Sequence, residues 1–400
     1  MEVTLRDHKA QASRMRSPGS TVGSSSAGSP RKSFDDAPSG KGRCCCCLLF
    51  LGVLVVLATT GGILLWQFLP DAEKQLVQDV LGSTASSADE QAEPSSVFAY
   101  NQCQPNEASC CNGVPGLCEV PIDQVLFASV HNAMATRADG FFLAPNHRLS
   151  LEEALEFGYR AINLDIGVCD GKLALIHGRC LLGERDPIEV FEHLSTFLRD
   201  NPNEVIVLSL EIVNNNPEFP VSLSDVSIAM GNLTQQLYLL EDDTRPEWPT
   251  LQQMIDINRR LLLFHYNGPF CKDLGEGWCP TGFYDYFRYV ADTQFEYESI
   301  EDFANATYAC EPGRGANGFG SFYGLHLYMK IPDADESQLL NDMAFVEEHV
   351  DQCETYRNGT LANFVYVDFW EQGDLVEVVQ MENIQRAKEF TTRRHLLRGR

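Results

Sequence analysis

The sequence predicts an α/β fold, a (β/α)8 TIM-like barrel that follows a disordered tail and one transmembrane helix. Three observations predict it. Short apolar runs alternate with helical patterns from about residue 101 to residue 387, as in parallel α/β proteins. Several of these runs are apolar throughout, which is typical of strands covered on both faces. Eight of the runs have the length of strands, and eight parallel strands favour closure into a barrel.

The individual elements follow from the period of the apolar residues. The helix that begins after Ser150 has a capping-box pattern, because Glu153 follows the serine by three positions. The predicted strands are Val125–Val130, Ala161–Ile166, Leu173–Ile176, Val205–Leu210, Leu261–His265, Tyr289–Thr293, Gly324–Met329 and Phe364–Phe369. The predicted helices are Ser150–Phe157, Ile188–Leu198, Asp225–Leu240, Leu251–Asn258 and Asp374–Lys388.

The N-terminal part of the chain is predicted to anchor it in a membrane. Residues 1–43 are rich in Ser, Gly, Pro and basic residues, a composition that cannot bury a core and predicts a disordered tail. Residues 44–69 carry no charge, and about 20 apolar residues cross a bilayer. Basic residues precede this run and acidic residues follow it. The positive-inside rule therefore predicts a single-pass type II protein with a cytosolic N-terminus and an extracellular or lumenal remainder.

Two alternatives concern this segment. A cleaved signal peptide would have a shorter apolar run and a shorter leader than residues 1–43. The four cysteines at the cytosolic boundary are either S-palmitoylated or simply apolar residues of the span; they are Cys44, Cys45, Cys46 and Cys47.

Beyond the span, the composition predicts an extracytoplasmic glycoprotein. Residues 70–100 are acidic and rich in Ser and Ala, as in a stalk, and residues 388–400 form a basic tail that we expect to fray. Three N-x-S/T sequons lie on the side where glycosylation occurs, at Asn232, Asn305 and Asn358.

The net charge of the chain is −26, although residues 1–43 are basic. So acidic a domain argues against a nucleic-acid partner, because phosphate backbones are bound by an excess of Lys and Arg. It also argues against strong nonspecific adsorption to anionic lipid headgroups.

The cysteines beyond the span number ten and are widely dispersed. An even, dispersed set is typical of disulfides formed in an oxidising compartment. A structural zinc site is the alternative, but the paired CxxC spacing that it would need is absent from the sequence.

Polar residues follow the apolar core of five predicted strands. The segments are FASVHNAM with His131 and Asn132, RAINLDIG with Asn163 and Asp165, LALIHGRC with His177, VLSLEI with Glu211, and FVYVDFW with Asp368. In a (β/α)8 barrel the active site is built at the carboxyl ends of the strands. One such residue alone would most often be a satisfied polar group of the core, but five in phase predict one common site.

The order of these motifs resembles the X region of phosphatidylinositol-specific phospholipases C. With the lead-in NQCQPNEASCCNG and the segments DNPNEV and NFVYVDFW, residues 101–385 look most like the secreted or membrane-bound phospholipase C-like phosphodiesterases. The resemblance implies a barrel and a phosphoric diester hydrolase or lyase that acts on a phosphatidylinositol-like phospholipid. The alternatives are a glycerophosphodiesterase or sphingomyelinase D-like enzyme on the same scaffold, and a non-catalytic ectodomain.

The resemblance also implies roles for single residues. His131 and His177 would be the acid/base pair, which suits a reaction that moves two protons near neutral pH, and Asp368 would orient His131. Asn132, Asp165 and Glu211 match the metal ligands of calcium-dependent relatives and would hold Ca²⁺ or Mg²⁺. Asn163 stands where a further acidic ligand is expected, which lowers the charge of the site.

Several side chains are assigned with less support from the pattern. Arg160 and Arg179 are candidate phosphate contacts, whereas His147 and His193 are interpreted as structural or exposed. Cys169 and Cys180 flank the segment that carries His177, so a disulfide between them would hold that histidine in place. By order along the chain, Cys271 would pair with Cys279 and Cys310 with Cys353, and the other four cysteines among themselves.

Overall fold

The computed structural model describes residues 100–103, 109–213, 220–241, 246–266, 281–315 and 321–398. The predicted tail, the apolar segment 44–69 with its four cysteines, residues 70–99 of the stalk, and the Cys271–Cys279 pair lie outside these residues. Within them, no helix is both long and apolar enough to cross a bilayer.

The strands number thirteen in the described part of the chain, and most are short. They are β1 Cys110–Cys111, β2 Val114–Pro115, β3 Phe127–Val130, β4 Ala161–Cys169, β5 Lys172–Ile176, β6 Glu184–Arg185, β7 Ile206–Ile212, β8 Leu261–His265, β9 Phe283–Asp285, β10 Val290–Asp292, β11 Arg314–Gly315, β12 Phe322–Leu327 and β13 Phe364–Val367.

The helices between these strands begin at side chains that cap them. Ser150 forms the expected capping box with Glu153, and Asp186 and Asp342 cap two longer helices. The helices are α1 Leu151–Phe157, α2 Pro187–Asp200, α3 Leu223–Met230, α4 Leu251–Asp256, α5 Tyr286–Tyr289, α6 Ala306–Cys310, α7 Ala334–Leu340, α8 Met343–Tyr356 and α9 Leu375–Arg398.

The main sheet is curled and contains a run of parallel strands in the order β10-β12-β13-β3-β4-β7-β8-β9. This arrangement confirms the α/β class and the parallel sheet. A closed barrel was expected, but in the described residues no ladder joins β9 to β10; the short helix α5 connects the two strands.

Two hydrophobic cores lie on opposite faces of this sheet. The helix-covered face contains alternate strand residues such as Val130, Leu164 and Leu208 packed against the helices. The concave face is rich in aromatic rings, including Phe127, Phe264, Phe322, Phe364 and Tyr366. Because successive strand residues point to opposite faces, the register that buries these rings also fixes which polar side chains reach the concave side.

Three elements differ from the predicted ones. The run Leu173–Ile176 was expected as the third barrel strand, yet β5 is antiparallel to β4 and forms a hairpin with it. The eighth parallel strand is instead β9, which the sequence pattern did not predict. Residues 388–398 are not a frayed tail but the last turns of α9, stabilised by the Glu389–Arg393 pair and by a contact from Arg394 to Glu119.

Four disulfides join described cysteines: Cys103–Cys110, Cys111–Cys118, Cys169–Cys180 and Cys310–Cys353. The first two brace the segment that leads into the sheet. Asn232, Asn305 and Asn358 are all exposed, so each sequon is accessible, and their glycosylation stays a prediction.

Candidate active site

His131 lies at the carboxyl end of β3, next to the end of β13. Its Nδ1 is 2.9 Å from Oδ1 of Asp368, and the carboxylate is buried while the imidazole is 19% exposed. The ring of Tyr328 stacks on the imidazole with centroids 3.8 Å apart. The carboxylate therefore fixes one ring nitrogen of His131, and the other edge of the ring remains accessible.

Unusual backbone conformations follow both strand ends. Asn132 has a φ of 46° and Phe369 a φ of 47°, values that side chains other than glycine rarely adopt. The backbone N–H of Asn132 donates to Oδ1 of Asn163 at 2.9 Å. Asn163, which stands at a predicted metal-ligand position, thus uses one lone pair of its side-chain oxygen to hold the turn after His131, and its role as a ligand stays a prediction.

His177 reaches the same place by a different route from the predicted one. β4 continues beyond the sheet to Cys169, turns, and returns as β5, so that His177 comes back to the carboxyl edge of the sheet. The Cys169–Cys180 disulfide closes this hairpin. Burial lowers the pKa of His177, and the positive charge that His131 can carry lowers it further. The lowered pKa of His177 thus reflects its burial and its closeness to His131.

A cavity of about 540 Å³ joins the two histidines. His131, His177 and Asp368 line it together with apolar side chains that include Leu143, Leu182 and Ile331. The volume lies in the range of small-molecule sites, which are mostly apolar with a few converging polar groups. The three residues predicted as catalytic therefore share one cavity.

Asp165 and Glu211 are neighbours in register on the parallel strands β4 and β7. Asp165 is buried, and its Oδ1 has no hydrogen-bond partner among the described residues. Burial raises the pKa of Asp165, and the nearby negative charge of Glu211 raises it further. Such a pair suits a divalent cation, because a cation would offset both charges.

The donor set for a metal is nevertheless small. Within the described residues, no group of three or more His, Cys, Asp or Glu side chains could hold a metal ion. Asp165 and Glu211 fit Ca²⁺ or Mg²⁺ only with added oxygen ligands, such as water and the predicted ligand Asn132.

Arg160 was expected to contact phosphate, and its surroundings contradict this. Its guanidinium is buried, donates to Glu204 at 2.6 Å and to the carbonyls of Leu155 and Tyr159, and lies over the ring of Tyr100. It precedes β4 and so lies at the amino edge of the sheet, opposite the cavity. Arg160 is structural. Arg179 is exposed and follows His177 by two residues, so its proposed contact with substrate stays a prediction.

A second polar cluster fills the concave face below the cavity, and the sequence did not indicate it. Asp292 is fully buried, accepts from Tyr286 at 2.7 Å, and lies 3.1 Å from Arg314 and 3.3 Å from His326. Gly324 makes room for it, since a Cβ there would lie 2.6 Å from Asp292 Oδ1. Asp292 and His326 occupy inward positions of predicted strands, so the two-residue period contained the signal.

Comparison with known proteins relates this fold to a known family. The family model PI-PLC X 1 matches residues 117–383. A fungal relative, PI-PLC X domain-containing protein 1 of Arthroderma benhamiae, is 25% identical over 158 residues, which are 38% of this chain and 50% of that protein. The chain thus spans about half the length of the curated relative that it matches.

Two solved structures are similar at a lower level. The phosphatidylinositol-specific phospholipase C from Listeria monocytogenes is 17% identical, with a TM-score of 0.47 over 69% of this chain and 96% of that chain. The calcium-dependent phosphoinositol-specific phospholipase C from a Pseudomonas species is 9% identical, with a TM-score of 0.38 over 66% and 94%.

The curled parallel sheet with histidines at its carboxyl edge is a phosphodiesterase scaffold of the phosphatidylinositol-specific phospholipase C type. Since the family model covers well over half of the residues, this chain belongs to the PI-PLC X family.

Proposed function

We propose that this chain is a phosphoric diester hydrolase or lyase that cleaves a phosphatidylinositol-like phospholipid headgroup. One observation carries the proposal: His131 and His177 line one cavity, and His131 is bonded to a buried carboxylate. A phosphodiester needs one group to take a proton from the attacking hydroxyl and a second to give one to the leaving oxygen.

The geometry supports a division of roles. Asp368 accepts the Nδ1 proton of His131, so Nε2 carries the free lone pair and takes the proton of a neighbouring hydroxyl of the headgroup. That oxygen then attacks phosphorus, the bond to the diacylglycerol oxygen breaks, and His177 protonates this leaving oxygen. The pKa of His177 is lowered in the free protein, and an anionic phosphodiester bound beside it would favour its protonated form.

Assistance by Ca²⁺ or Mg²⁺ is part of the proposal. Asp165 and Glu211, with Asn132, would hold the ion. When bound, a divalent cation would offset the charge that develops on the phosphoryl oxygens. The unpartnered buried oxygen of Asp165 supports this assignment.

We extend the proposal to the rest of the chain. Residues 44–69 anchor the protein as a type II membrane protein, and the domain with its disulfides and sequons lies outside the cell or in a lumen. The charge pattern around the apolar segment and the dispersed cysteines support this topology.

The test is to express the full chain in a eukaryotic secretory host and screen phosphoinositides, lysolipids and glycerophosphodiesters, with and without chelator. His131→Ala and His177→Ala should each abolish turnover with little change in melting temperature, whereas His193→Ala, a half-buried histidine on α2, should keep it. Headgroup analysis of the products separates a phospholipase C from a glycerophosphodiesterase or sphingomyelinase D-like enzyme. A folded wild type without turnover on any of these lipids would favour a non-catalytic ectodomain.

A further inference from the structure

The dipeptide Asn146–His147 connects the ends of the two strands that carry His131 and Asp368. The carbonyl of Asn146 accepts from the backbone N–H of Phe369 at 2.7 Å. The Nε2 of His147 lies 2.6 Å from the carbonyl of His131, and its Nδ1 accepts from the N–H of Trp370 at 3.4 Å. This dipeptide therefore links the backbone that follows β3 to the backbone that follows β13.

The side chain of Asn146 contacts the reacting pair itself. Its Nδ2 donates to Oδ1 of Asp368 at 2.8 Å and lies 3.5 Å from Nδ1 of His131. The same carboxylate oxygen accepts from His131, while Oδ2 of Asp368 has no hydrogen-bond partner in the part of the chain that the structure describes. Two donors on a single oxygen hold the carboxylate in one orientation, because rotation would break both bonds.

We propose that Asn146 is a positioning residue, whose amide aims the carboxylate of Asp368 so that the proton of His131 stays on Nδ1. The inference rests on the proposed function, since it is the free Nε2 of His131 that acts as the base. Asn146 acts through Asp368 and not on the substrate. Its loss lowers kcat while KM changes little, because fewer molecules hold His131 in the reactive tautomer.

Asn341 provides a matched control. Its side chain is also buried and also contacts Asp368, but it donates to the backbone carbonyl, at 2.9 Å, and not to the carboxylate. A residue that only supports the fold around Asp368 should therefore behave like Asn341.

The experiment compares Asn146→Leu with Asn341→Leu in the full chain, labelled with ¹⁵N-histidine. Nitrogen chemical shifts report the tautomer of His131, and turnover of a chromogenic myo-inositol phosphodiester gives kcat and KM. A hydrogen bond to a charged group is worth enough that kcat should fall about ten- to hundred-fold in Asn146→Leu. KM should stay within about twofold. Asn341→Leu should keep the wild-type tautomer.

Two results would overturn the proposal: an unchanged His131 tautomer in Asn146→Leu, or a rise in KM with kcat unchanged, which would make Asn146 a substrate contact. Should Asn146→Leu not fold, Asn146→Ser serves instead, because its shorter hydroxyl ends before Asp368. The tautomer is measured without substrate. If the wild type turns over no phosphodiester, a tautomer shift therefore still supports the role of Asn146 and only the proposed function fails.

Discussion

Tyr328 and His131 form a parallel stack, with ring centroids 3.8 Å apart and planes inclined by 5°. Tyr328 comes directly after β12 and is buried, so it limits the imidazole on one face while Asp368 holds it at an edge. The proposed base is thus fixed in both position and rotation before substrate binds.

Two substitutions of Tyr328 separate the contribution of its ring to turnover from that of its hydroxyl group. Tyr328→Leu removes the aromatic face, which favours a positively charged imidazolium by about 0.5–2 kcal/mol, so turnover should fall about three- to thirty-fold. Tyr328→Phe keeps the face and should stay within about twofold of the wild type. Steady-state kinetics of both variants check this, and equal losses in the two would show that the hydroxyl matters and not the stack.

The contacts of Arg160 predict that its substitution lowers the stability of the fold and leaves catalytic activity unchanged. Arg160→Met removes the guanidinium that pairs with Glu204 and donates to two carbonyls, so the free energy of unfolding should fall by about 3 kcal/mol. Turnover per folded molecule should not change, because Arg160 lies at the edge of the sheet opposite the cavity. Arg199→Met is the control, since its side chain is 70% exposed on α2 and a change there should alter stability by less than about 0.5 kcal/mol. Denaturant unfolding and activity, measured on the same samples, decide the matter.

The Asp165–Glu211 pair predicts a metal-dependent stability. Saturating Ca²⁺ or Mg²⁺ should raise the melting temperature of the wild type, because a ligand that binds only the folded state stabilises it. Asp165→Asn should lose most of this shift. Asp170→Asn, which changes an acidic residue in the exposed turn of the same hairpin, should keep it. A shift of equal size in both variants would place the ion elsewhere.

His349 predicts a loss of stability in acid. Burial lowers its pKa to about 4, whereas an unfolded histidine titrates near 6.5, so between these values the unfolded state binds more protons. The stability that neutral His349 contributes is thus present above about pH 6.5 and is lost as the pH falls toward 4. Relative to the wild type, His349→Phe should gain roughly 2.5 kcal/mol between pH 7 and pH 4.5.

Denaturant unfolding of the two chains at both pH values measures this difference. Phenylalanine suits the site because His349 already stacks on Phe345 and meets the edge of Phe303. A difference between the chains that does not change with pH would mean that folding leaves the pKa of His349 unchanged.

The strand residues of the candidate site could be predicted because the two-residue period fixes their face. His131, Asp165, Glu211 and Asp368 all follow that period and reach one side of the sheet. The structural role of Arg160 could not be predicted from the sequence. Its partner Glu204 lies in a different loop, and the sequence does not indicate that the two side chains are in contact. Asn146 was missed for the same reason: its partner Asp368 is 222 residues away.

The pairing and direction of the strands were harder to predict than their apolar period. Leu173–Ile176 has the same apolar pattern in a hairpin as in a parallel strand, and the sequence alone does not separate the two. Phe283–Asp285 is too short and too polar to indicate a strand. It forms a parallel ladder with β8, a contact that the local sequence does not predict.

The pairing of β13 with β3 has a consequence for biosynthesis. His131 and Asp368 are separated by 237 residues, and the strand that delivers the carboxylate is the last of the sheet to leave the ribosome. A nascent chain can therefore fold its first helices and close its early disulfides while the imidazole still lacks its partner. Premature termination between His177 and β13 would yield a protein with both histidines but without the carboxylate that orients His131.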